Sequence, residues 1–433
     1  MALGGGTFLT MNKALAGTYI NFVSAITANV AEVQRGVVAM PLELDWGPEA
    51  TVFKVGQADF YQNAWTYFGH AYDDEAMLNL REIFRNASEG YFYRLGTGGV
   101  KATCIFADAK YPGTAGNRLK IVVAANEVST EDDPLFDVTT YADNIAVDAQ
   151  TVVNMAGLAD NSYVVWKRTA TLAVNAGVNL TGGTNGTVAD ANYQSFLDAI
   201  QVYSFNVLGC LSTDTTIKAL FAAYTKRMRD QMGVKFQTVL HDYAGANYEG
   251  IISVANNSTA ALVPWVVGAQ AGCPINKALT NKTYDGEVTV DINYTQTQLE
   301  TAVRDGKFIF HRVGDEVRVL QDINTLVTFS VEKSDIFADN QAIRVIDWFG
   351  NSVAFLFNGK YLGKIANDNA GRVSLWNDIV DICNGLQSNG AIANFVSSDV
   401  SVEAGEARDS VVVTVSLQIS GTMSKLYMTV LIS

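Results

Sequence analysis

The sequence predicts an α/β core domain with an inserted small all-β domain and an α+β C-terminal domain, with an extended strand arm at each end. Three observations lead there. Strand-like and helix-like patterns alternate from residue 190 to residue 256, as a mostly parallel sheet requires. From about residue 97 to 186, short β-like runs are split by Gly, Asn and Asp turns, and helical periodicity is weak. A strand-like stretch occupies each extreme, GTYINFVSA at 17–25, which is period-two and rich in β-branched and aromatic residues, and KLYMTVLIS at 425–433.

In the first of these stretches Thr18, Ile20 and Phe22 alternate with Tyr19, Asn21 and Val23. The Gly-rich start of the chain offers no neighbouring strand, so the backbone donors and acceptors here need a partner elsewhere. An apolar strand at 37–44 ends in the turn signal Trp46-Gly47-Pro48. Residues 73–88 carry Met77, Leu80, Ile83 and Phe84 at helical spacing, with acids in front that suit the helix dipole. GYFYRLG follows as a strand. After the β-rich block come a helix at 191–200, a strand at 202–211 and a helix at 213–233 that opens on an Asp or Thr cap and closes on Gly233. KFQTVLH and YEGIISVAN complete the alternation, and the helix at 73–88 and the strand before it belong to the same domain. The predicted organisation is an N-terminal arm at 1–25, a core at 26–96 and 187–333, an insertion at 97–186, a C-terminal domain at 334–424 and a terminal arm at 425–433. The C-terminal domain reads as a helical stretch through Trp348, the helix RVSLWNDIVDICNGLQSNG, and a long strand in which Val411, Val413, Val415, Leu417 and Ile419 alternate. The last strand comprises Leu426, Tyr427, Met428, Thr429, Val430, Leu431 and Ile432.

The bulk numbers fit this reading. A chain of 433 residues suits about two or three domains. With 48% hydrophobic and 17% charged residues it is globular in composition. A net charge of −14 argues against a nucleic-acid partner, which calls for a basic surface. No apolar run approaches the roughly 18–20 residues that span a bilayer, and no secretory signal pattern opens the chain. Cys104, Cys210, Cys273 and Cys383 are far apart and form no C-x-x-C pair, as expected of reduced, buried thiols.

Catalytic and metal-binding patterns are missing. His70 lies near Asp73 and Asp74 but lacks the spacing of a zinc site, and a helix-cap cluster is the expectation. His241-Asp242 has no G-x-S-x-G elbow to serve, and His311 reads as a strand residue. GTGGV and LTGGTNGT lack the lysine or the glycine spacing of a phosphate loop and read as turns or hinges. Asp132-Asp133 sits in an acidic, solvated loop. Lys226, Arg227 and Arg229 complement a helix C-terminus or form a small interface patch, the first being preferred. The sequence thus predicts no catalytic residue, no cofactor and no metal.

Several stretches, taken in order, resemble the contractile tail sheath proteins of myophages and phage-tail-like particles, particularly those of Gram-positive bacteria. They are NKALAGTYINFVSA, RGVVAMPLELDWGPE, AKYPGTAGNRLKI, LTGGTNGTV and YTQTQLETAVRDGKFIFHRVGDEVRVLQDINTL, and the closing helix and strands fit as well. One departure is Leu15-Ala16-Gly17, where the family often places Pro before Gly. The resemblance implies a subunit of a virion tail or phage-tail-like particle, assembled in the host cytoplasm. Its implied partners are copies of itself in helically stacked hexameric rings, an inner tail tube protein, and baseplate and tail terminator proteins, with no nucleic acid and no membrane insertion. It also implies that the two arms leave their own subunit and add strands to a neighbour's C-terminal domain, a form of β-augmentation. Linkers near Glu32 and at 404–409 then absorb the angle change on contraction, the inserted domain faces outward, and Lys360, Lys364 and Arg372 are the candidates for weak contacts with an acidic tube. A non-contractile shell or surface-layer protein shares the strand exchange without needing a tube. A cytosolic α/β enzyme requires convergent polar groups that the sequence does not display.

Overall fold

The computed structural model describes residues 35–130 and 134–432. The predicted arm residues Thr18–Val23, the linker at Glu32 and the pair Asp132-Asp133 lie outside these. The core opens with β1 (Val37–Glu43), β2 (Val52–Gly56), α1 (Gln57–Phe68), α2 (Leu78–Phe84) and β3 (Glu89–Leu95). Helix α1, absent from the sequence reading, buries Phe60, Ala64 and Phe68 on one face and is kinked at Asn63. Helix α2 is shorter than expected. Asp74 caps a single 3₁₀ turn, accepting from the Ala76 amide at 2.9 Å, and the α-helix begins only after it.

The inserted unit contains β4 (Lys101–Thr103), β5 (Ala107–Pro112), β6 (Leu119–Ala125), β7 (Phe136–Ala142), β8 (Ile145–Val152), β9 (Val164–Trp166) and β10 (Asn175–Asn179). Sheets β4-β5-β9 and β10-β6-β7-β8 enclose Phe106, Leu119, Ile121, Val138, Val164 and Leu180, forming a small sandwich. The two Gly-rich connections run antiparallel as a neck, bridged at Thr97–Thr187, Val100–Thr184 and Thr103–Thr181. Their glycines permit this close approach: a Cβ on Gly186 would meet the Thr97 backbone at 2.7 Å.

The core resumes with α3 (Asp190–Ile200), β11 (Val207–Gly209), α4 (Thr215–Lys226), β12 (Gln237–His241), β13 (Ile251–Val254), α5 (Val263–Gly272), α6 (Gln296–Arg304), β14 (Lys307–Phe308) and the hairpin β15 (Phe310–Val313) and β16 (Glu316–Val319). One seven-stranded sheet has the order β14-β13-β12-β11-β1-β3-β2, parallel except for the edge strand β2. Helices α1, α2 and α5 cover one face, and α3 and α4 cover the other. The strand expected at 202–211 is only β11, because the preceding residues form a turn after α3 and the Tyr203 ring packs at a tilt against Tyr91 instead.

The C-terminal unit contains α7 (Asn340–Leu356), α8 (Asn369–Ser388), β17 (Ile392–Ala393), β18 (Val400–Ala404), β19 (Val411–Val415) and β20 (Gln418–Ile419). The expected single strand at 411–419 is divided. Val411–Val415 pairs with β18, then the chain crosses over and Gln418–Ile419 pairs with β17. The expected linker at 404–409 is the turn of the β18–β19 hairpin, closed by the Gly405 amide on Ser410 O at 2.9 Å. No strand is assigned within 425–432.

Candidate assembly interface

Helix α7 is capped by Asp339, which accepts from the Gln341 amide at 2.7 Å, and α8 by Asp368, which accepts from the Gly371 amide at 2.8 Å. Their facing sides enclose Val345, Leu356, Leu375, Ile379, Cys383 and Leu386. Trp376 Nε1 donates to Val400 O at 2.9 Å, seating the β18–β19 hairpin on α8. Both small sheets in this unit have only two strands, so each leaves edges unpaired among the described residues. Along β19, Val412 and Val413 are exposed. Edges of this kind are templates for another chain.

The chain leaves this unit at Ser420, whose amide donates to Ala391 O at 3.0 Å and whose carbonyl accepts from Gln341 Nε2 at 2.8 Å. Beyond it, no hydrogen bond or strand pairing joins residues 421–432 to the described residues. Leu426, Tyr427, Leu431 and Ile432 are 86–93% exposed, and Met428 and Val430 are exposed as well. Extended at about 3.3 Å per residue, this segment reaches roughly 40 Å from its root. Apart from Thr429, residues 426–432 are apolar or aromatic and lie open to solvent.

The three candidate tube-facing cations fall at one end of the same unit, each held by the chain itself. Lys360 pairs with Asp378 at 2.6 Å, Lys364 donates to Gly359 O at 2.5 Å, and Arg372 bonds the Asn367 side chain at 3.1 Å. Arg372 lines a largely apolar cleft of about 600 Å³, with Phe357, Leu362, Ile365 and Leu375 on its walls and Arg408 and Asp409 at the hairpin tip.

Sequence reasoning missed the junction between the core and the C-terminal unit, which is a buried polar seam. Arg344 on α7 binds Asp322 at 2.8 Å, Gln270 Oε1 at 2.5 Å and Lys277 O at 2.7 Å. Asp322 also accepts from Gln270 Nε2, Asn340 Nδ2 and the Leu279 amide. Burial opposes the charge on Asp322, but Arg344 and these donors outweigh it and hold the carboxyl below its ordinary range. Arg229 lies in the last turn of the π-extension of α4, as a helix-end cation would, but it is no exposed interface patch. It is buried, forms a two-pronged pair with Asp347 at 2.6 and 2.8 Å, and donates to Phe236 O. Arg35, where the described chain begins, caps the C-terminus of α5 through Gln270 O and Cys273 O. Burial, followed by the neighbouring Arg344, lowers its pKa to about 10. The first described residue and Ser420 are thus both tied to the stretch where α5 ends and α7 begins.

The remaining candidates are structural. His70 bonds Asp74, as a cap cluster would, and also Asp45. His241 bonds Asn257 O at the end of β12, and His311 lies on β15. Among the described residues no group of His, Cys, Asp and Glu is placed to hold a metal, and the four cysteines are free. The cleft at the carboxyl ends of β1 and β11, where α/β folds commonly bind ligands, holds Glu43, Tyr193 and Ser212 without a nucleophile–base pair.

Comparisons with known proteins cover nearly the whole described chain. Residues 35–95 match the tail sheath protein Gp18 domain III N-terminal region, and 97–185 the phage tail sheath protein beta-sandwich domain. Residues 186–325 match the phage tail sheath protein central domain, and 332–433 the phage tail sheath C-terminal domain. The phage-like element PBSX protein XkdK of Bacillus subtilis (strain 168) is 32% identical across 99% of each chain. The crystal structure of the sheath tail protein from Desulfitobacterium hafniense is 34% identical, with a TM-score of 0.81 over 95% of this chain and 99% of that one. The anti-feeding prophage helical sheath in its contracted state shares the fold at 12% identity, with a TM-score of 0.55 over 97% of this chain and 99% of that one.

Proposed function

The chain belongs to the phage tail sheath family, and on that premise we propose that it polymerises into a helical tube around an inner tail tube and contracts from a metastable extended state. It is a non-enzymatic structural component of a phage tail or phage-like particle. The observation that carries the finer reading is the exposed segment 421–432, apolar and unpaired, leaving a unit whose own small sheets have open edges. Residues Leu426–Ile432 at one end and Thr18–Val23 at the other are the strands donated to neighbours in stacked hexameric rings. Main-chain hydrogen bonds supply the strength, and alternate side chains set the register. The buried seam supports motion of the core and C-terminal unit as one stiff body. The arm roots, at 26–34 and 421–424, take up the angle change. A gain of about 1–2 kcal/mol per subunit, summed over a long polymer, drives a one-way stroke through a cell envelope without nucleotide.

Purified full-length protein at high concentration and moderate salt is expected to form hollow tubes of uniform width in negative stain. Small discrete particles alone would contradict self-assembly. A non-contractile shell also polymerises, so the tube partner separates the two readings. In this proposal Lys360, Lys364 and Arg372 face an acidic tube surface and bind it weakly, since the sheath must release the tube on firing. Reversing Lys364 and Arg372 to Glu is expected to cut co-sedimentation with tail tubes by about tenfold, the factor carried by roughly 1.4 kcal/mol. Unchanged co-sedimentation would remove this face from the tube contact.

A further inference from the structure

The inserted sandwich meets the core at a cluster of charges around His70. The ring follows Gly69, the left-handed residue that ends α1. Its Nε2 lies 2.9 Å from Asp45 Oδ1, and its Nδ1 lies 2.9 Å from Asp74 Oδ2. A carboxylate only accepts, so satisfying both contacts requires a hydrogen on each ring nitrogen, which makes the ring an imidazolium. Each carboxylate also reaches the sandwich. Asp45 accepts from Thr114 Oγ1 at 3.3 Å through its side chain and from the Ala115 amide at 3.4 Å through its carbonyl. Asp74 faces Arg118 at 3.9 Å. Arg118 in turn binds Gly69 O and Asp143, and Asp143 accepts from Trp65 Nε1 at 2.7 Å. The ionisable groups facing the ring are therefore Asp45 after β1, Asp74 before α2 and Arg118 of the sandwich, with Asp143 behind Arg118.

We propose that His70 is a proton-operated clamp that fixes the sandwich to the core, and that loss of one ring proton to solvent opens it. The neutral ring keeps one N–H, so one of its two nitrogens presents a lone pair to a carboxylate oxygen and that contact becomes repulsive. The freed carboxylate then no longer holds its sandwich partner in place. Arg94, donating to Gly47 O and Pro112 O, and Trp46, edge-on to Tyr111, do not titrate near neutrality, so the sandwich loosens without detaching. Burial works against the charge on His70, but the bonds to Asp45 and Asp74 outweigh it and raise its pKa above the ordinary histidine value. A group with a raised folded pKa contributes stability fully below its unfolded value and loses it as pH rises through the folded one. Asp45, against its burial, and Asp74 are both held low by His70, so their contribution fades only as pH falls below the usual carboxylate range. The clamp is closed between these limits.

The chain has three histidines, so selective isotope labelling gives three ring signals, with that of His70 identified by its loss in His70→Gln. In the full-length unassembled protein, His70 is expected to titrate above 6.5. Hydrogen-exchange protection at residues 65–70 and 113–118 is expected to step down as pH rises through that midpoint. In His70→Gln the protection is expected to be low on both sides, without the step. A midpoint at or below 6.5, or protection that stays flat through it, overturns the clamp, and both are read on the unmodified protein.

Discussion

A chain ending at Ser420 is expected to fold as the full-length protein does and to form no tubes. Residues 421–432 contribute nothing to the four apolar cores, and the last anchors of the C-terminal unit, Ala391 O and Gln341, hold Ser420 itself. The melting temperature is therefore expected to stay within about 2 °C, as for changes at exposed positions. Assembly loses far more. Each Leu, Met, Val or Ile side chain buried in a neighbour supplies about 1.5–3 kcal/mol, and a paired strand adds its ladder. Ordering the segment costs about 1–2 kcal/mol per residue, so the net per arm is modest, but the loss repeats at every subunit. Deleting residues 1–25 is expected to give the same result, folded monomers that do not polymerise. Electron microscopy with a melting curve reads both outcomes, and ordered tubes from either truncated chain would remove that arm from the mechanism.

The largest expected loss of stability comes from Asp322→Ala. The carboxylate is fully buried and receives Arg344, Gln270, Asn340 and the Leu279 amide. Its removal strands the Arg344 guanidinium without its ion partner, a change that costs about 3–5 kcal/mol. The seam joins α5 and the segment after β16 to α7, so unfolding in denaturant is expected to become two-stepped, with the C-terminal unit released first. The folded pKa of Asp322 is depressed, so its contribution is present above the usual carboxylate value and disappears only as pH falls through the lower folded one. A loss below about 1 kcal/mol would show that the seam does not hold the two units together.

The elements read best from sequence were those with a clear period and recognisable ends. Helix α4 opens on Asp214, whose side chain accepts from the amides of Thr216 and Ile217, and its π-turn extension is followed by Gly233 in the left-handed region. Helix α5 was invisible for a physical reason. All residues from Val263 to Ala271 are buried, so no polar face marks a helical period. Helix α1 did carry a signal, Phe60, Ala64 and Phe68 at a spacing of four, interrupted by the kink at Asn63. The polar seam left none, because Arg229 and Asp347 are 118 positions apart and only the fold brings them together. For His70 the local half, Asp74 at i+4, was legible, whereas Asp45 arrives from the end of β1. The stretch at 425–433 reads as a strand in the sequence, and no strand is assigned within 425–432, where no hydrogen bond pairs the backbone with the described residues. The division of 411–419 between two sheets was not legible, because nothing in the alternating valines records that the chain changes partner at Ser416 and Leu417.

The most direct test of strand exchange is a helical reconstruction by cryo-electron microscopy of tubes assembled from the full-length protein, at a resolution that traces the main chain. The account predicts that residues 421–432 cross into an adjacent subunit and run as a strand beside the open edge of its small C-terminal sheets. Density that turns back at Ser420 and pairs with its own subunit would contradict it.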